Sequence, residues 1–366
     1  MHLVVIGAQW GDEGKGKIVD FLAHGADVVV RYSGGANAGH TIVRGDQTYK
    51  LHLVPSGAIY EDKTVILGSA MVIDPAALFA ELDELAKAGI EWHGRVLVSD
   101  RAHVVLPRYR EMDKEIDAQR SSPIGTTGRG IGIAYSVKAS RDGVRVADMY
   151  DDEVLEQLSD EDRSFIEEHR ERLRDMVIDI HSHMEWLGPS DVLFEGAQGT
   201  MLDIDLGTYP FVSSGHSGSA GAAIGGGIGP AQIDRVIGVC KAYSTRVGNG
   251  PFPSEFTTER DGDLAETIRE LGGEYGVTTG RPRRCGYLDL VALRYACRAN
   301  SIDTLALTHI DIYDGMEEVK VCVGYEIDDV LVDHFPASRS ALARAVPVTK
   351  RFPGWQQSLR EVRSYE

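Results

Sequence analysis

The sequence predicts an α/β protein: a large, mostly parallel central sheet flanked by helices, with smaller antiparallel additions. Three observations predict it. Apolar runs of strand length recur along the chain, stretches of helical periodicity alternate with them, and glycine- and hydroxyl-rich loops follow the runs at their carboxyl ends. In a parallel sheet such loops gather along one edge, so several of them predict one continuous, polar, anion-binding site.

The first unit is the most informative. Leu3-Val-Val-Ile6 reads as a short buried strand, and Ile18-Val-Asp-Phe-Leu22 as the first turns of a helix. Between them runs Gly7-Ala-Gln-Trp-Gly-Asp-Glu-Gly-Lys-Gly-Lys17. A strand, a glycine-rich turn and a helix make an anion cradle, because backbone N–H groups and the positive end of the helix dipole face the turn. Gly11, four residues, then Gly16 and Lys17 satisfy the phosphate-loop pattern up to its last position. There Ile18 stands where a hydroxyl residue would hold magnesium. A metal bound here needs another ligand, and Asp12 is the nearest carboxylate. Its presence among phosphates requires a cation or a proton between the like charges.

Asp27-Val-Val-Val-Arg31 reads as the second strand, running into the loop Ser33-Gly-Gly-Ala-Asn-Ala-Gly-His40. Strand-like pieces follow at 41–43 and 49–54, and a buried strand at 64–67. Asp74 caps a helix with Pro75 at its first position and apolar residues at Leu78, Leu82 and Leu85. Residues 95–98 are again a strand. A second special loop, Ile124-Gly-Thr-Thr-Gly-Arg-Gly-Ile131, feeds a helix to about Lys138. Residues 150–187 read as a polar helical insert. Val192-Leu-Phe194 is a strand ending in Glu195-Gly-Ala-Gln-Gly-Thr200. The Gly/Ser/Ala-rich stretch 214–230 lies between apolar strands, which favours tightly packed turns over a linker. A strand at 236–239 leads to Tyr243-Ser-Thr-Arg-Val-Gly-Asn-Gly-Pro-Phe-Pro253. A helix near 263–271, the loop 276–284, a helix at about 288–299 and a strand at 304–307 complete the series, with Thr308-His-Ile-Asp311 at the last strand's end.

Composition bounds the function. The 366 residues, 43% of them hydrophobic, suffice for one large domain, and no repeat or linker divides the chain, so a single unit over 1–366 is expected. A formal charge of −18 argues against nucleic-acid partners. No apolar run is long enough for a bilayer and the chain enters a strand at once, so neither membrane nor secretory signal is expected. The four cysteines form no Cys-x-x-Cys pair and suit a reducing cytoplasm. A dinucleotide-binding oxidoreductase would need a second glycine within Gly7-Ala-Gln-Trp10 and an acid, where Arg31 stands, ending the second strand. An ATP-using phosphate-loop ligase or kinase, or a nucleotide-binding protein without catalysis, remains a distinct alternative.

Six motifs in order resemble the adenylosuccinate synthetase family, from residue 1 to about 355: Gln9-Trp-Gly-Asp-Glu-Gly-Lys-Gly-Lys17, Asn37-Ala-Gly-His40, Gly125-Thr-Thr-Gly-Arg-Gly130, Glu195-Gly-Ala-Gln-Gly-Thr200, Lys241-Ala-Tyr-Ser-Thr-Arg-Val247 and Thr278-Thr-Gly-Arg281. The resemblance implies GTP, IMP and L-aspartate as substrates, adenylosuccinate, GDP and phosphate as products, Mg2+ as cofactor and a homodimer. It makes Asp12 the base that removes the N1 proton of IMP, and a Mg2+ ligand together with the carbonyl of Gly39. His40 lies across the transferred group, Lys15 supplies positive charge beside the base, and Gln198 orients the hypoxanthine edge. Donors to the IMP phosphate and sugar are Asn37, Thr127, Ser213, the backbone at Val247, Arg281, and Arg141 from the partner subunit; Glu13, Gly14 and Ala38 also line the IMP site.

By the same resemblance Thr278, Thr279 and Arg281 hold aspartate, planar guanidinium being suited to carboxylate. GTP falls to Gly11, Asp12, Glu13, Gly14, Lys15, Gly16, Lys17, Gly39, His40, Thr41, Arg283, His309 and Asp311, with Asp311 accepting from the N1 and 2-amino protons of guanine. The chain departs from the family pattern in five ways. Ser213 replaces threonine, Pro282 interrupts an arginine run, and His309 replaces lysine. The stretch 145–193 is short, and past Trp355 the family has a further segment, including a glycine-containing turn packed on the guanine nucleotide.

Overall fold

The computed structural model describes residues 1–37, 39–44, 47–121, 123–275 and 282–362, with the backbone alone for His40, Thr41, Val43, Arg44 and Glu361. In chain order the first strands are β1 (His2–Gly7), β2 (Val28–Gly34), β3 (His40–Arg44), β4 (Gln47–Leu51), β5 (Thr64–Ile73), β6 (Val96–Ser99), β7 (His103–Val104) and β8 (Val177–Ile178). They are followed by β9 (Val192–Glu195), β10 (Arg235–Lys241), β11 (Tyr243–Arg246), β12 (Arg284–Asp289), β13 (Thr304–Thr308), β14 (Glu318–Ile327), β15 (Val330–Val332) and β16 (Val346–Pro353).

Nine strands form the central sheet in the order β13-β10-β1-β9-β2-β5-β6-β8, with β7 beside β5. Every pairing in it is parallel. The loops after β1, β2, β9, β10 and β13 therefore emerge along one edge. The central strands β1, β9, β2 and β5 are buried on both faces, while Leu305 and Leu307 of the edge strand β13 are exposed, and the period of two in β1 shows how the faces are filled. Leu3 and Val5 point into a core shared with the helices Lys15–Ala23, Pro75–Lys87 and Ile131–Ser140, among them Val19, Leu78, Leu82, Leu85 and Ala134. Val4 and Ile6 point to the other face, onto Ile180, Phe194, Ala222 and Ile228. A five-stranded mixed sheet runs β11-β12-β14-β15, with β16 on β14, and β3–β4 form a separate hairpin. Trp10, Phe252, Ala292 and Leu293 fill the seam where this smaller sheet meets the phosphate-loop region.

The cap of the helix Pro75–Lys87 is as the sequence predicts: the Asp74 side chain accepts from the Ala77 N–H at 3.1 Å. Other elements differ. The strand expected at 64–67 continues to Ile73, since every residue from Val65 to Ile73 is buried. The polar insert 150–187 is helical over Asp160–Leu173 and Ile180–Trp186, but it also sends β8 to pair with β6 and thus extends the sheet's edge. The helix Pro107–Gln119 had no sequence signal because only Tyr109 and Asp113 of it are buried. The stretch 214–230 is packed, not a linker. A Cβ at Gly225 would lie 2.0 Å from the Tyr32 carbonyl oxygen, and one at Gly68 would lie 2.2 Å from that of Gly225.

Candidate active site

The loop between β1 and its helix turns through left-handed backbone at Gly11, Asp12 and Gly14, with φ of 84°, 58° and 86°. For Asp12 this is a conformation that non-glycine residues adopt rarely. Glu13 holds the turn from inside. Its fully buried carboxylate accepts from the N–H groups of Gln9 at 3.1 Å and Gly11 at 2.9 Å, and from Lys15 Nζ at 2.8 Å. Lys15 is itself only 6% exposed. The charge assigned by resemblance to the surroundings of Asp12 is therefore paired with Glu13.

The cation on Asp12 is another one. Arg283 Nε lies 3.0 Å from Asp12 Oδ2, and its Nη1 donates to Glu274 Oε2 at 2.8 Å. Glu274 Oε1 in turn accepts from Lys241 Nζ and from the Tyr243 hydroxyl, each at 2.5 Å. Burial pushes the Glu274 carboxyl up, but Lys241, Tyr243 and Arg283 together outweigh it and hold its pKa below the ordinary value. Two sequence motifs, the first loop and Lys241-Ala-Tyr243, thus join through a glutamate that carried no signal of its own.

The remaining loops are drawn to the same edge by buried braces. Arg31, 1% exposed, donates to the carbonyls of His52 at 2.8 Å, Leu53 at 3.0 Å and Gly35 at 2.7 Å, fixing the start of the 35–40 loop. Gln198, at φ 54°, donates from Nε2 to Asn37 Oδ1 at 3.4 Å, so two residues assigned to IMP touch. Arg129 donates to the Ala36 carbonyl and Asn249 Nδ2 to that of Pro123 at 2.9 Å. The first bond brings the loop of exposed Thr127 to the residue before Asn37, and the second ties the loop of exposed Val247 to the Thr127 loop. The Ser213 hydroxyl is buried with no hydrogen-bond partner among the described residues. Arg141 ends the helix Ile131–Ser140 at φ 72°, with its side chain exposed.

At the end of β13, Thr308 Oγ1 donates to the Glu13 carbonyl at 2.7 Å and so ties this motif to the first loop. His309 sits at φ 56° on the rim of a cavity of about 510 Å³, lined also by Leu271, Gly272, Asp311, Ile312, Asp314, Ser358 and Arg360. Protein packed behind the His309 ring, and then the Lys241 ammonium, lower its pKa below the usual histidine value. Asp311 Oδ2 pairs with Arg360 Nε at 3.1 Å.

Comparison with known proteins decides the family. The sequence profile of adenylosuccinate synthetase matches residues 4–168 and 158–366. The adenylosuccinate synthetase of Synechococcus elongatus is 50% identical over 390 residues, covering 100% of this chain and 87% of that one. That of Pelotomaculum thermopropionicum is 48% identical over 386 residues, covering 99% and 89%. The chain belongs to the adenylosuccinate synthetase family. Among solved structures, fully ligated adenylosuccinate synthetase from Plasmodium falciparum superposes with a TM-score of 0.89 at 37% identity, over 98% of this chain and 89% of that one. A cyanophage S-2L succinoaminodeoxyadenylate synthetase, at 23% identity and a TM-score of 0.65, shares the fold.

Of the residues that membership in the adenylosuccinate synthetase family nominates, Gly11, Asp12, Glu13, Gly14, Lys15, Gly16 and Lys17 lie on the first loop and helix, with Asn37, Gly39 and Gln198 on neighbouring loops. Ala38, Thr278, Thr279 and Arg281 fall outside the described residues, as do the side chains of His40 and Thr41. A metal-like grouping that sequence reading missed is Asp203, Asp205 and His216. Asp203 is already committed there: its carboxylate accepts from the N–H groups of Asp205, Leu206, Ser217 and Gly218 at 2.6–3.1 Å, which makes it a staple for the Gly-rich stretch. Arg31 and Glu274 were also missed, since a buried ion looks like a surface one in sequence. No helix among the described residues is long and apolar enough to cross a membrane.

Proposed function

We infer that this chain ligates IMP and L-aspartate to adenylosuccinate, driven by conversion of GTP to GDP and phosphate, the first step from IMP toward AMP. One observation carries the inference: over its whole length the chain is 50% identical to an adenylosuccinate synthetase. The loops that follow β1, β2 and β9, with the motif residues Asp12, Asn37 and Gln198, lie at one edge of the parallel sheet. We propose that the 366 residues work as one unit and pair into a homodimer in which Arg141 reaches the partner's site.

The chemistry requires O6 of IMP, a poor nucleophile and a worse leaving group, to become each in turn. Asp12 takes the proton from N1, and the electron pair released makes O6 an oxyanion. O6 attacks the γ-phosphorus, forming the O6–P bond as the bond from that phosphorus to the GDP oxygen breaks. The aspartate amine then adds at C6, the C6–O6 bond breaks, phosphate leaves and the amine gives up a proton. His40 stabilises charge building on the transferred group, Gln198 orients the purine edge, and Thr278, Thr279 and Arg281 hold the aspartate carboxylates. Arg283 steadies the Asp12 carboxylate while Glu274 steadies Arg283.

The donor set suits a hard divalent cation. The Asp12 side chain is 43% exposed and, with the Gly39 carbonyl, offers oxygen ligands beside a phosphate cradle. Mg2+ held there would neutralise the charge of the phosphates. The test is to mix the protein with Mg2+, GTP, IMP and aspartate and follow the ultraviolet change of adenylosuccinate. Turnover that needs all three substrates and favours GTP is expected; equal turnover with ATP, or none with GTP, overturns the reading.

A further inference from the structure

The helix Pro107–Gln119 is polar and buries only Tyr109 and Asp113, so an apolar face does little to seat it. What it offers is a row of contacts to the loop 124–130. Asp113 and Asp117 are one turn apart, hence on one face, and both turn their carboxylates to that loop's backbone. Asp117 Oδ1 accepts from the Ile124 N–H at 2.8 Å, and its Oδ2 from those of Gly125 at 3.0 Å and Thr126 at 3.2 Å. Asp113 Oδ2 accepts from the Gly130 N–H at 3.0 Å. Between these ends Gly128 lies on the Lys114 stem, where a Cβ would come 3.2 Å from Lys114 Cε. The loop thus runs antiparallel along the helix, with a carboxylate at each end. Neither carboxylate faces open water: Asp113 is 5% exposed and the Asp117 side chain 15%.

Such a loop needs holding. Gly125, Gly128 and Gly130 sit at φ of 82°, 65° and 76°, and glycine, free to leave such angles, does not keep them by itself. Thr126 and Thr127, by contrast, are exposed. Carboxylates are a demanding choice of acceptor here. On the reading above Thr127 donates to the phosphate of IMP, and negative charges beneath a phosphate oppose its binding. A neutral acceptor would serve stability alone. A carboxylate, with about four lone-pair sites, can take three N–H groups at once and so fix the shape of the turn. Burial pushes the Asp117 carboxyl up, but the N–H groups of Ile124, Thr126 and Gly125 outweigh it and hold its pKa below the ordinary value. We propose that Asp117, with Asp113 holding the far end, is a positioning residue for the phosphate of IMP, setting the 124–130 loop in its binding shape before the nucleotide arrives. A loop ordered in advance costs the ligand less on binding. The proposal rests on the ligation reading and extends it to residues outside the family motifs, which act through the loop and not on the substrate.

The experiment measures kcat, KM for IMP and KM for GTP in the ligation assay for the unaltered protein, Asp117→Ala, Asp117→Asn and Glu115→Ala. It adds the inhibition constant of inosine, which has the base and sugar of IMP and no phosphate. Asp117→Ala is expected to raise KM for IMP about tenfold, the range for losing hydrogen bonds to a charged acceptor. Its kcat, its KM for GTP and the inosine constant should hold steady. Asp117→Asn keeps one acceptor oxygen and should recover part of the loss. Glu115→Ala removes the same charge from an exposed position on the same helix and should leave KM for IMP unchanged. A KM for IMP that moves less than about twofold in Asp117→Ala overturns the proposal. So does an equal rise in Glu115→Ala, which would make the effect one of charge alone, or an equal weakening of inosine, which would place it away from the phosphate. Absence of GTP-driven turnover in the unaltered protein overturns the ligation reading as well, and so is told apart from failure of this proposal alone.

Discussion

Asp12 and Arg283 form an ion pair, with 3.0 Å between Oδ2 and Nε, and it joins the first loop of the large sheet to the residue just before β12 of the smaller one. The proposed base is therefore oriented from outside its own loop. Replacing Asp12 by Asn keeps the shape and removes the proton acceptor. We expect kcat to fall about 10²–10⁴-fold with stability changed by less than about 1 kcal/mol, because this half-exposed carboxylate is well screened. Steady-state kinetics and urea unfolding of the same preparation check both halves; a variant keeping a tenth of the rate removes Asp12 from the base role.

Glu274 should show the opposite balance. It is 1% exposed and compensates both Lys241 and Arg283. Glu274→Gln leaves a buried ammonium without its counter-charge, and breaking such a pair typically costs about 3–5 kcal/mol. The midpoint of chemical unfolding should drop accordingly. Unchanged unfolding would mean that the network is ornamental.

Ser213 offers a cleaner probe of substrate binding. A buried hydroxyl lacking a partner among the described residues is an expense to the fold that a ligand can redeem. Ser213→Ala is expected to leave thermal stability equal or slightly higher while raising KM for IMP about tenfold. Calorimetric titration with IMP measures the second effect directly, and unaltered IMP affinity would take Ser213 out of the site.

His103 gives the pH dependence. Burial, then the charges of Lys138 and Arg145, push its pKa down to about 4 from 6.5. Between those values the unfolded chain binds a proton that the folded one excludes. The contribution to stability is therefore full above pH 6.5 and is lost as pH falls toward 4. The loss is at most about 3 kcal/mol. Unfolding measured from pH 7 downward should be steeper for the unaltered protein than for His103→Leu; parallel curves would refute the assignment.

The partner-subunit role of Arg141 can be read by mixing two inactive variants, Asp12→Asn and Arg141→Leu. If each site draws on both chains, random exchange yields half heterodimers with one intact site of two, restoring about a quarter of full activity. No recovery after verified exchange would assign Arg141 to its own subunit or to none.

Most of the fold was legible because its signals are local. Apolar runs such as Leu3-Val-Val-Ile6, and Asp74 followed by Pro75, state their structure within a few residues. What escaped depended on distant partners. The helix Pro107–Gln119 buries two side chains, and its Asp113 accepts from the Gly130 N–H at 3.0 Å, a tie across seventeen residues. Arg31 was read only as an argument against a dinucleotide fold, although it braces the next loop through three carbonyls. The glycine-rich site loops were visible as loops, but the order in which charges pair there was not. Sequence shows that Asp12, Lys15 and Arg283 are present; only packing shows that Lys15 serves Glu13 while Arg283 serves Asp12.

Gly68 and Gly225 carry a lesson for anyone altering this chain. By composition, residues 214–230 look like the obvious place to splice in a tag, graft a reporter or cut the protein in two. The backbone there is wedged against Tyr32 so closely that a single added methyl has nowhere to go. The segment that looks most dispensable on paper is thus among the least forgiving to edit, and permissive sites should be sought in the polar helices around 150–187 instead.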